Sequence, residues 1–209
     1  MKNIFEKIKR SAPLPQLPQV MLQLIRACGR EKTDIDEVTQ IICRDAALTA
    51  KLLAIIASPH VNLAKQVTTI KSAVVYLGLD TVRNIAISSS AMQFFKFSKV
   101  SDNFNINRFW YHSYKCAVLA QSIAREEKQI NPDQYFLAGL LHDIGTLVLM
   151  ATFPVEYKEI KARVNQGQNE CEAQTDILNI DGPKVSSWLF NQWNLNPMAC
   201  DAVQFLSHP

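Results

Sequence analysis

The chain has 209 residues, 48% of them hydrophobic and 20% charged, a balance that excludes a disordered polymer and allows a sizeable buried core. A formal net charge of +3 and a pI near 8.6, with Lys and Arg scattered among acids, exclude the clustered basic stripe that nucleic-acid binding needs. Five cysteines at 28, 43, 116, 171 and 200, with no CxxC pair, argue for reduced thiols rather than a disulfide frame, and against thiolate metal ligation at these spacings.

The segment Met1–Arg10 lacks the apolar core of a signal peptide. It reads instead as a short amphipathic helix carrying Ile4, Phe5 and Ile8. Pro13, Pro15 and Pro18 forbid helix in the next segment and predict an extended strap. Val20, Leu24 and Ile25 then share one face of a second helix. Asp34 with Glu37 three residues on predicts a capping box for a helix with Ile35, Val38, Ile41 and Ile42. Asp45 caps another, with Leu48, Leu52, Leu53 and Ile56 expected inward and Pro59 ending it. Thr69 opens a helix through Ile70, Ala73, Val74 and Leu77 that Gly78 stops. Asp80 starts a further one through Val82, Ile85 and Ala86 to Phe94 and Phe95.

Residues 98–105 are the expected internal boundary. A long helix from about Asn107 to Lys128 follows. Asn131-Pro132-Asp133-Gln134 combines a cap, a first-turn proline and a capping-box glutamine, so it starts the next helix. Gly145, Pro154, Gly167, Gly182-Pro183 and Asn196-Pro197 punctuate the remainder. No stretch alternates apolar and polar residues long enough for a strand, and none reaches the ~18 apolar residues of a spanning helix. The expectation is an all-α, cytoplasmic protein with no membrane partner, a helical lobe over about 1–100 and a second over about 105–209.

Chemistry concentrates at Gly139-Leu-Leu-His-Asp-Ile-Gly145. His142 and Asp143 put an imidazole and a carboxylate side by side, a donor pair that suits several divalent ions. His112, among Phe109, Trp110, Tyr111 and Tyr114, is the candidate third donor. Aromatic neighbours at helical spacing point first to core packing, and a histidine among them to a satisfied core group. In the last third only His208 remains among histidines. Asp176, Asp181 and Asp201 each sit where a helix cap or a solvated face explains them equally well. His60 follows Pro59 in a loop.

These residues also carry a resemblance. Leu14–Val20, Asp45–Leu53, Thr69–Gly78, His112-Ser113 and Gly139–Gly145 come in an order that resembles the HDOD domain, a branch of the HD superfamily of metal-dependent phosphohydrolases. The likeness runs from Leu14 to Pro209, so 1–209 is expected to be a single module with an HD-like C-terminal lobe. The family pattern has lysine where Thr146 stands, histidine at Gly182 after Asp181, and a His-His pair at Leu206 and Ser207. The resemblance therefore implies a degenerate site: a non-catalytic module of bacterial signal transduction that binds a signalling protein or a nucleotide second messenger. Its tentative binding cleft comprises His112, His142, Asp143 and Asp181, with no catalytic residue and no cofactor. The alternative is a phosphohydrolase acting on a phosphoester or nucleotide. It would hold Fe, Mn, Zn, Mg or Ni on His112, His142 and Asp143, with Asp181 the candidate further acid.

Overall fold

A computed structural model describes residues 2–11, 17–28, 34–58, 67–95 and 104–206. The strap up to Gln16, Pro59, His60, most of the 98–105 boundary and His208 lie outside them. Among the described residues every regular element is a helix and no strand occurs.

The chain divides into two compact units, Leu17–Lys96 and Met1–Gln16 with Phe97–Pro209. The sequence reading put the N-terminal helix in the first lobe. The structure instead groups α1 (Lys2–Ser11) with the C-terminal unit. Ile8 is almost completely buried there, Phe5 stacks on Trp188 with centroids 4.8 Å apart, and the Lys7 ammonium lies over the Phe153 ring. Ten residues with one apolar stripe have no core of their own and must borrow one. Sequence order alone does not say whose.

The unit Leu17–Lys96 contains α2 (Gln19–Cys28), α3 (Ile35–Cys43), α4 (Ala46–Ile56), α5 (Ile70–Leu77) and α6 (Leu79–Phe94). The last of these touches each of the other four. That central position explains its composition: Val82, Ala86, Ile87 and Ala91 are buried together with Ser88, Ser89 and Ser90, small residues that let neighbouring helices approach closely. Asp45 caps α4 by accepting from the Leu48 amide at 2.9 Å. Asp34 caps α3 through Asp36, rather than in a reciprocal box with Glu37. The reciprocal box of this unit is Thr69 with Ser72. On α4 the buried line is Leu48, Leu52 and Ile56. Leu53, expected inward, is only half-buried, because a spacing of four keeps to one stripe and Leu53 lies about 100° round the helix from Leu52 at its centre.

The other unit is built from α7 (Ile106–Glu126), α8 (Pro132–Leu141), α9 (Ile144–Thr152), α10 (Pro154–Asn165), α11 (Glu170–Leu178), α12 (Gly182–Gln192) and α13 (Pro197–Gln204), with α1 laid on α9. The most extensive packing is α7 on α8, followed by α9 and α13 on α12. By length and composition Pro132–Thr152 is apolar enough to cross a membrane, contrary to the expectation that no such stretch exists. Here the run is broken at His142-Asp143 into α8 and α9, and most of it is buried within the protein, as the core helices of a globular domain are. Pro132 provides the first-turn proline of α8, while the Asn131 side chain makes no cap bond.

Candidate functional site

On α7 the buried line is Trp110, Ser113, Ala117, Gln121 and Ala124. His112 and Cys116 stand one turn apart on the flank of that line, since residues four apart in a helix lie one above the other. On α8, Phe136, Leu137, Leu140 and Leu141 face inward. Between them Gly139 meets α7 so closely that a Cβ there would lie 2.7 Å from Ala117 Cα and 2.9 Å from the Cys116 carbonyl carbon. Only glycine allows backbones so near. The contact sits one turn before His142 and draws the end of α8 onto the His112–Cys116 edge of α7.

The His142 ring is oriented by the same glycine. Its Nδ1 lies 2.8 Å from the Gly139 carbonyl oxygen. A carbonyl can only accept, so Nδ1 carries the proton and Nε2 presents a lone pair when the ring is neutral. The His112 and His142 rings meet edge to face, centroids 5.4 Å apart. Cys116 Sγ is 3.6 Å from His112 Nε2. Ligand atoms of His112, Cys116 and His142 all lie within 4.8 Å of one another. Asp143 adds a carboxylate oxygen 3.8 Å from His142 Nε2 but stands outside that group of three. His112 is exposed, while His142, Asp143 and Cys116 are half-buried. Burial pushes the Cys116 thiol above the ordinary thiol range, helped by the Asp143 charge and opposed by Lys115.

Asp181 is differently placed. It is the N-cap of α12 and almost fully buried. One of its oxygens accepts from the Lys184 amide at 2.9 Å and the other pairs with the Lys184 ammonium at 3.0 Å. Beside it α9 and α12 touch through small residues. The Gly145 amide donates to Ser186 Oγ at 2.8 Å, and a Cβ on Gly145 would fall 2.6 Å from the Ser186 nitrogen and nearer still to the Gly182 carbonyl oxygen. A Cβ on Gly182 would run into the Thr146 hydroxyl. The Gly182 amide donates to Gln174 Oε1, whose amide nitrogen in turn donates to the Tyr157 hydroxyl at 3.1 Å.

Of the residues singled out from sequence, the structure brings His112, His142 and Asp143 to one place and commits Asp181 to a helix cap. Of the four aromatics around His112, only Trp110 is buried. Phe109 is half-buried, and Tyr111 and Tyr114 are exposed. Cys116 is the residue that sequence reasoning missed, having set thiolate ligation aside. The available signal was the spacing His112-x-x-x-Cys116, which on a helix aligns two donors on one face. For a metal the donor chemistry is mixed. Two imidazoles and a thiol suit a borderline-soft ion, whereas an oxygen-rich centre drawing on Asp181 would have to break that residue's cap and ion pair.

Residues 14–209 match the family model of the HDOD domain. An uncharacterized protein of Treponema pallidum is 24% identical over 197 residues, covering 92% of this chain and 37% of that protein. The uncharacterized protein YuxH of Bacillus subtilis is 25% identical over 60% of this chain and 30% of its own length. The chain thus spans about a third of the curated relatives that it matches. Among solved structures, an HDOD domain protein of unknown function from Geobacter sulfurreducens superposes with a TM-score of 0.79 at 25% identity, over 99% of this chain and 72% of that one. A provisionally named phosphohydrolase from Shewanella amazonensis SB2B gives 0.77 at 27% identity, over 97% and 72%. A provisionally named signal transduction protein from Marinobacter aquaeolei VT8 gives 0.83 at 21% identity, over 100% and 50%, a likeness of fold alone.

Proposed function

The chain belongs to the HDOD domain family, and from that premise we propose that it is a non-catalytic regulatory module of signal transduction, working by binding a partner protein. A nucleotide second messenger is the second ligand class this reading admits. The observation that carries it is the fate of Asp181. An HD-type hydrolase would want its late acid free to hold a metal, and here both carboxylate oxygens are occupied by Lys184 and the start of α12. With Asp181 held in the cap, the donor set that such a hydrolase would draw on is short of one carboxylate. The recognition surface would be the exposed edge of α7 around Tyr111, His112 and Tyr114, with His142 and Asp143 beside it. Scattered charge gives no basis for a nucleic-acid partner.

The rival reading is a metal-dependent phosphohydrolase on His112, His142 and Asp143. The proximity of those side chains and the provisional name of the Shewanella protein favour it. Turnover separates the two. The purified chain, supplied in turn with Mn, Fe and Zn, is offered a phosphomonoester, a phosphodiester and a cyclic dinucleotide. We expect rates equal to those of Asp143→Ala for all three. Metal-dependent turnover that disappears in Asp143→Ala and His142→Ala would replace the regulatory reading with the hydrolase. Affinity capture supplies the positive arm: a partner held by the wild-type chain and released by Tyr111→Ala with His112→Ala.

A further inference from the structure

We propose that His112, Cys116 and His142 form a binding site for one zinc-class divalent ion, with Cys116 as a thiolate ligand. This goes beyond the regulatory reading and beyond the His112–His142–Asp143 set that the family resemblance implies. It holds whether or not the chain turns over a phosphoester.

Three observations converge on it. The first is distance. Zinc binds sulfur at about 2.3 Å and imidazole nitrogen at about 2.0–2.1 Å, so two such donors on a tetrahedral ion stand about 3.5 Å apart. Cys116 Sγ and His112 Nε2 are 3.6 Å apart, and all three ligand atoms fall within 4.8 Å of one another. The same sulfur is 3.9 Å from His112 Nδ1, so the exposed His112 ring has to turn to direct one nitrogen at the ion. The second is orientation. Metal-bound histidines nearly always donate their other ring N–H to a carbonyl or carboxylate, which fixes the tautomer. His142 already does so through Nδ1 to Gly139, leaving Nε2 as the ligand atom. The third is preorganisation. The i,i+4 pair on α7 and the close approach at Gly139 are features of backbone packing, so the donors do not have to be gathered from flexible segments.

The donor types choose the ion. A thiolate with two imidazoles favours zinc over magnesium or manganese, which prefer oxygen. Binding displaces the thiol proton to bulk water and forms the metal–sulfur bond, with no change of oxidation state. Three protein donors leave one coordination position for water, with the Asp143 carboxylate beside His142 Nε2.

Cobalt(II) is the probe, because a cobalt–thiolate bond gives a sulfur-to-metal charge-transfer absorption in the near ultraviolet that nitrogen and oxygen donors do not. The full chain, purified reduced and stripped of metal, is titrated with cobalt and then with zinc. The expected result is one cobalt per chain, the charge-transfer band, and its bleaching as zinc displaces cobalt. Cys116→Ser should lose the band and weaken zinc binding by at least the roughly 10–100-fold that loss of an outer-shell partner causes, while Cys43→Ser, removing an exposed thiol of the other unit, should keep both. Far-ultraviolet circular dichroism checks that Cys116→Ser is folded. If it is not, His112→Gln, at an exposed position, takes its place with the same expected loss of zinc affinity. Cobalt bound without the sulfur band, zinc affinity unchanged in Cys116→Ser, or no stoichiometric binding would each overturn the proposal. Metal binding without turnover would leave both this site and the regulatory reading standing.

Discussion

Substituting Gly145 by alanine tests the contact between α9 and α12 where the structure makes it tightest. The added carbon would lie 2.6 Å from the Ser186 nitrogen and closer to the Gly182 carbonyl oxygen. Both obstacles are backbone atoms, so no rotamer change relieves them. The helices must part by roughly an ångström in a region packed like a crystal. Overpacking of this kind costs about 1–3 kcal/mol. Separation also lengthens the 2.8 Å bond from the Gly145 amide to Ser186 Oγ, and a buried donor left without a partner costs about 1–3 kcal/mol more. Against this, alanine returns about 1 kcal/mol of helix propensity. The balance is a loss of about 3 kcal/mol, which for a chain of this size lowers Tm by about 6–12 °C. Thermal unfolding followed by circular dichroism reads it directly. An unchanged or raised midpoint would mean that propensity outweighs any clash, and the close approach of α9 and α12 would have to be abandoned.

Other consequences follow from single side chains. Burial and the Glu170 carboxylate that the Tyr157 hydroxyl donates to hold that phenol protonated well above the usual tyrosine range. The folded state therefore keeps a proton that the unfolded chain gives up near pH 10, and stability falls as pH rises above that value, by about 1.4 kcal/mol per pH unit. Urea unfolding between pH 9 and 11 should show wild type losing its advantage over Tyr157→Phe with rising pH, and parallel curves would refute the assignment. Asp143→Ala should cost under about 1 kcal/mol, because its carboxylate is part-exposed and reaches His142 only at 3.8 Å. A loss of several kcal/mol would reveal a structural role that the geometry does not give it. Leu52→Ala should cost about 2–5 kcal/mol and Leu53→Ala clearly less, since Leu52 is wholly buried and Leu53 is not. Equal losses in chemical denaturation would mean that the buried stripe of α4 is misplaced.

The helices were legible because their signals are local. Asp34, Asp45 and Thr69 each lie next to the turn they cap, and the four-residue spacing of Leu48, Leu52 and Ile56 records a buried stripe. The position of α1 was not, since the stripe of Ile4, Phe5 and Ile8 says only that a partner exists. Its partner residues, Phe153 and Trp188, lie far along the chain. The site was half legible. His142 and Asp143 are neighbours in sequence, and Gly139 can be seen one turn before them, but the use of that glycine depends on Ala117 of another helix. Cys116 was overlooked for the complementary reason. Scanning cysteines against each other for pair spacings hides a cysteine whose partner is a histidine one turn away.

Two of the four positions where the resemblance implies a departure from the HD pattern, Thr146 and Gly182, meet in the structure. A side chain at 182 would enter the space of the Thr146 hydroxyl, so the two positions lie against each other. Gly145 and Ser186 continue the same seam, and Asp181 caps α12 at its end. The space at 182 is taken up by helix packing, so a histidine placed there would meet the Thr146 side chain, and a smaller residue at 146 would be needed first. Such a seam belongs to a wall that supports the fold, whereas the donor side chains that gather among the described residues, His112, Cys116 and His142, lie on the edge of α7 and α8.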